Sequence, residues 1–117
     1  MKTRNTIITA ILLTAVLLGS LLLPLFAAAD SLYIIPDSDT RALTYDELWQ
    51  YRYDTLLYAF NEIYARHGYR FETQDVYNIF LRFTWYYPDF SAENFNENVL
   101  NQYEKENLKL LVKLEGK

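Results

Sequence analysis

The residue types best suited to chemistry in this 117-residue chain gather in Asn61-Glu62-Ile63-Tyr64-Ala65-Arg66-His67-Gly68, which contains the single histidine. An imidazole titrates near physiological pH, so His67 is the natural candidate for general acid or base work, given a partner that orients it. Glu62 is not that partner, because five helical positions turn it roughly 140° away from His67. The sequence has no cysteine, no second histidine and no His-Glu-x-x-His, which removes the donor set of a zinc site. Beyond residue 29 the serines are Ser31, Ser38 and Ser91, all in turn-like surroundings and none at a strand-to-helix elbow of the hydrolase kind. The acidic residues lack the spacing of a calcium loop, and pairs such as Glu104 and Glu106 read as solvated helix faces. The expectation is no catalytic residue, no metal and no cofactor, with His67 a helix C-cap satisfied by backbone or by a carboxylate.

The element that must position this stretch is an amphipathic helix, marked by Leu56, Leu57, Phe60, Ile63 and Tyr64 at steps of three and four. Gly68 stops it. With Gly68 in the left-handed C′ position, His67 is the C-cap and Tyr69 folds back on Tyr64, the contact of a Schellman ending. Arg66 and His67 then sit at the negative end of the helix dipole, which favours positive charge by about 0.3–1 kcal/mol per exposed group. Glu62 lies four residues before Arg66, the spacing of a helical ion pair contributing roughly 0.2–0.5 kcal/mol in water. On this reading Glu62 and His67 each contribute about 1 kcal/mol or less unless buried. Asn61 is a poor helix-interior residue, and Asn107 falls on the apolar side of a later helix. A buried amide left unpaired costs about 1–3 kcal/mol, so both are expected to bond to the backbone of a neighbouring loop, residues 36–41 or 69–73. Arg66 would add charge-assisted bonds to the same framework.

Residues 1–29 join Lys2 and Arg4 to a long apolar run ending, after Pro24, in Ala27-Ala28-Ala29. That is the pattern of a secretory signal peptide whose removal leaves Asp30 first. An uncleaved anchor competes with it, since the run is almost long enough to cross a bilayer. Residues 30–42 read as an N-terminal arm: apolar Leu32-Tyr33-Ile34-Ile35 laid across the helices, or serving as a spacer, then the turn-forming Pro36-Asp37-Ser38-Asp39. Thr44 and Glu47 have capping-box spacing and start a short helix with Leu48 and Trp49, which breaks near residues 51–53 or runs on into the next. Thr73 caps a third helix carrying Val76, Ile79, Phe80 and Phe83 and ending before Trp85. Asn96 or Asn98 caps the last, with a stripe of Leu100, Tyr103, Asn107, Leu110 or Leu111, and Leu114. The fold expected over residues 43–117 is all-α, one small domain of three to four helices with an N-terminal extended arm and the Asn61–Gly68 helix at its centre.

Without Lys2 and Arg4 the net charge moves from −4 to −6, and no basic block remains, which argues against nucleic acid and anionic lipid as partners. All 11 tyrosines and both tryptophans lie beyond residue 29. Such side chains join an apolar body to a polar tip and suit both a small core and a stacking surface. Trp85-Tyr86-Tyr87 therefore has two readings: core anchor with loop packing, or an exposed patch for glycan or peptide.

Tyr64-Ala65-Arg66-His67-Gly68 resembles the signature of the YARHG domain family, bacterial domains presumed extracytoplasmic. The resemblance continues through Pro36-Asp37-Ser38-Asp39-Thr40-Arg41, Leu43-Thr44, Phe71, Trp85-Tyr86 and Tyr103-Glu104-Lys105-x-Asn107, nearly all of the chain beyond the leader. Phe60 departs from it, standing where the family places a basic residue before Asn-Glu. Together these readings predict an exported, non-catalytic binding or interaction module of the cell envelope. Its partner would be a glycan, peptide or protein, with membrane contact only through an uncleaved leader. The alternative is an envelope hydrolase or accessory enzyme using the region of His67.

Overall fold

A computed structural model describes residues 32–115. The leader expected over residues 1–29 lies outside the described residues. Among the described residues the fold is all-α, with no strand and one isolated parallel bridge between Tyr69 and Phe90. Four helices follow in order: α1 Tyr45–Trp49, α2 Tyr53–Ala65, α3 Gln74–Phe80 and α4 Gln102–Leu114, with a 3-10 turn Glu97–Val99 before the last.

The short α1 begins at the expected capping box, Thr44 accepting from the backbone N–H of Glu47 while Glu47 accepts from that of Thr44. It is separate from α2, the chain turning through Gln50–Arg52. Helix α2 packs against both α3 and α4, and α1 packs against α4. Leu56, Ala59 and Ile63 join Leu48 of α1, Leu108, Leu111 and Leu114 of α4, Ile35 of the arm and Leu43 just after it in one buried cluster. Ala65, at the other end of α2, belongs to a second cluster with Phe80 and Tyr86. Burying a Leu, Ile or Phe contributes about 1.5–3 kcal/mol, so these two clusters are the main stabilising mass of so small a domain.

The ending of α2 is the Schellman motif that Gly68 implied. Tyr69 N–H donates to Tyr64 C=O (3.2 Å), Gly68 N–H donates to Ala65 C=O (3.0 Å), and the rings of Tyr64 and Tyr69 meet at 5.8 Å. Gly68 has φ +80°, and a Cβ there would stand 3.1 Å from the carbonyl oxygen of Tyr87. Only glycine satisfies both the left-handed backbone and that approach.

Three local expectations are corrected. The cap of α4 is Asn101, five residues beyond Asn96, with Glu104 completing a second capping box; Asn96 instead caps the 3-10 turn. The buried stripe is Glu104, Asn107, Leu108, Leu111 and Leu114, and Tyr103, expected in it, is 46% exposed. Residues 33–42 pass over the helices in successive turns, closed by bonds such as Ser38 N–H to Ile35 C=O and Thr40 N–H to Asp37 C=O, and not as a straight strand. Helix α3 ends at Phe80, its Thr73 cap making no side-chain bond, and the chain reaches Trp85 through turns.

Candidate functional site

Two layers of side chains stand on α2, one holding irregular backbone and one open to solvent. In the first, Glu62 is fully buried and accepts from the N–H groups of Ile34 (2.6 Å) and Ile35 (3.1 Å). Burial pushes its carboxyl above the usual range, against the opposing effect of those two N–H groups and of Arg66. The surface pair expected between Glu62 and Arg66 is absent, because both groups turn to the arm. Arg66 donates to the carbonyl of Pro36 and the hydroxyl of Ser38 (both 3.3 Å), pairs with Asp39 (3.1 Å) and lies over the ring of Tyr33 (4.3 Å).

Asn107 reaches the same segment from α4. Its Oδ1 accepts from Leu43 N–H (2.8 Å), and its amide donates to the carbonyls of Ser38 (2.8 Å) and Arg41 (2.9 Å). These are the loop bonds expected of it. Nε2 of His67 lies 2.6 Å from Oε2 of Glu104, whose other oxygen accepts from Asn101 N–H. Glu104, read from sequence as solvated, is buried and serves the helix start and the histidine at once. The spacing Asn101-x-x-Glu104 is a capping-box signal that could have located it. Ser38, buried at the crossing of Arg66 and Asn107, carried no such signal.

Trp85, Tyr86 and Tyr87 do not form a joint exposed surface. Tyr86 is buried and its hydroxyl donates to Tyr69 C=O (2.6 Å); burial holds its phenol up at about 12. Trp85 packs on Phe80, Phe83 and Tyr33. Tyr87 alone is freely exposed, at 67%. The reason is the second core cluster, which has few aliphatic residues to fill it and draws in the aromatic pair.

The open layer is a groove along the Phe60–Tyr64 edge of α2. On one side a cavity of about 260 Å³ is lined by Phe60, Asn61, Tyr64, Tyr69, Phe71 and Glu97. Its rings are mutually tilted: 54° between Phe60 and Tyr64, 58° between Tyr64 and Tyr69, 64° between Tyr69 and Phe71. Asn61 borders the cavity, donating from Nδ2 to Leu57 C=O of its own helix (2.8 Å) and not to a loop as expected. Burial and the nearby carboxylate of Glu97 raise the Tyr64 phenol, keeping it a protonated donor. On the other side of the same two rings, a depression of about 460 Å³ is lined by Leu108, Lys109, Val112 and Lys113. Of these lining residues Phe60, Asn61, Tyr64 and Tyr69 lay in or beside the motif; Phe71, Glu97 and the residues of α4 come from other segments.

Among the described residues no three or more His, Cys, Asp or Glu side chains gather as metal ligands. No described helix is long and apolar enough to cross a membrane. The model of the YARHG domain family matches residues 31–116, whereas no curated protein and no solved structure matches the chain. That match spans the arm, all four helices and the loop between α3 and α4, so the framework just described is the family's own region: the chain belongs to the YARHG domain family, extracytoplasmic domains whose molecular function is unknown.

Proposed function

We propose that this chain is an exported, non-catalytic binding module of the cell envelope, and that the groove on the Phe60–Tyr64 edge of α2 is where it binds. The observation that carries this reading is the make-up of the groove's deeper cavity: four aromatic rings, one amide and one carboxylate. Aromatic walls with a few polar groups are the usual lining of a ligand pocket. The two-carboxylate machinery of glycoside hydrolysis is not supplied by the single Glu97. His67 is held by Glu104 and borders a separate cavity of only about 60 Å³, with Phe90, Asn94, Phe95, Asn96 and Val99. The remaining motif residues, Glu62, Arg66 and Asn107, are engaged with the arm. Export is supported by the leader pattern and by membership of an extracytoplasmic family.

A chemical-shift screen of the labelled protein against fragments of cell-wall glycan and peptide tests the reading. Saturable shifts without turnover are expected, and His67→Ala should keep them. Turnover of a fragment that His67→Ala abolishes in a folded protein would overturn it.

A further inference from the structure

Resting on that reading, we propose that the ligand is a saccharide bearing a carboxylate: one sugar ring enters the Asn61–Glu97 cavity, and the acidic substituent reaches across the Phe60–Tyr64 wall to Lys109 and Lys113. The two sides of the wall differ in charge in a way the chain as a whole does not explain. Residues 30–117 carry a net charge of −6, yet the outer depression presents two lysines, neither in an ion pair among the described residues. Lys113 suits the negative end of α4, but Lys109 lies mid-helix and has no such role. The inner cavity is the reverse, lined by the Glu97 carboxylate and the Asn61 amide beside Tyr64. A complementary ligand is rich in O–H or N–H donors at one end and anionic at the other.

Sugars have that form. A pyranose ring pairs an apolar C–H face, which stacks on tilted aromatic rings, with a rim of hydroxyls that seek acceptors. A cavity of about 260 Å³, just below the common range for drug-sized ligands of about 300–1,000 Å³, suits a single ring. A peptide fits less well. Among the described residues no strand offers an edge for pairing, and an inner cavity of about 260 Å³ is too small to seat the apolar face of a helix. Asn61 also gains a reason here, since it holds no loop, and its amide, bonded to Leu57 C=O, borders the cavity.

The test uses the full-length chain and three probes: the disaccharide of N-acetylglucosamine and N-acetylmuramic acid, its methyl ester, and a short peptide without sugar. The acid should shift amides of residues 60–64, 69–71, 97 and 109–113 and bind about tenfold more tightly than the ester, the scale of one charge-assisted contact. The double variant Lys109→Gln/Lys113→Gln, both positions exposed, should erase that preference by weakening the acid more than the ester, while Glu97→Gln weakens both sugars. Equal affinity for acid and ester, or shifts elicited only by the peptide, would overturn this inference and leave the binding-module reading standing. Binding of none of the three would overturn the inference, and turnover of a probe would overturn the reading beneath it.

Discussion

At the scale of single residues, the polar side chains buried between arm and helices are fully used, and this makes them sensitive to substitution. Asn107 satisfies one N–H and two carbonyls of residues 38–43, so Asn107→Leu strands three backbone groups while adding apolar surface. Each stranded group costs about 1–3 kcal/mol and the new burial offsets part of it, so a net loss of about 2–4 kcal/mol is expected in a denaturant melt. A variant as stable as the parent would refute the framework role. Glu62→Ala strands Ile34 N–H and Ile35 N–H and should lower stability by a comparable amount. Glu62→Gln behaves differently. Because the folded carboxyl is raised above its ordinary 4.5, its stabilising contribution is complete below that value and declines as pH rises through the folded value. The glutamine variant escapes that decline, so its melting temperature relative to the parent should climb between pH 4 and pH 8. A constant difference across that range would show that folding does not raise the Glu62 carboxyl.

The elements owe their limits to their ends. Helix α2 stops where Gly68 turns left-handed, and α4 starts where Asn101 and Glu104 exchange backbone bonds. Asn101 also donates to Asp39 C=O (2.8 Å), so one residue both caps α4 and holds the arm. Asn101→Ala should cost about 0.5–2 kcal/mol, toward the upper end because the arm contact goes with the cap. Asn96→Ala removes only the cap of a single 3-10 turn and should cost clearly less. Paired chemical denaturation curves decide between them, and equal losses would contradict the assignment of the helix start. The reading from sequence offers Asn96 or Asn98 as the cap and passes over Asn101, whose capping box with Glu104 the structure shows.

Over the whole molecule the arm and the helices are joined by charge as well as by burial. Arg41 donates to Asp37 and to Glu47 (2.7 Å), holding the Glu47 carboxyl down at about 2. A depressed carboxyl stabilises above its ordinary 4.5 and loses that contribution as pH falls toward 2. Glu47→Gln should therefore flatten the acid limb of the stability profile between about pH 4.5 and 2, and an unchanged limb would remove Glu47 from the account. For the exported protein, intact mass should place the first residue at Asp30, whereas a membrane-held species keeping Met1 would favour the anchor. By itself the sequence determined the all-α class, the first capping box, the glycine-terminated helix, the family and the loop-holding role of Asn107. Each rests on local spacing or on a polar residue in an apolar stripe, and both are written along the chain. Tertiary structure alone decided that Glu62 turns to the arm and not to Arg66, that Glu104 is buried, and that Trp85 and Tyr86 fill a core. It also decided that Phe60, Tyr69, Phe71 and Glu97 meet in one cavity. The reason is physical: a carboxylate's partner and an aromatic ring's exposure depend on which distant segment covers them, and residues 34, 71, 97 and 104 meet α2 only when the chain is folded.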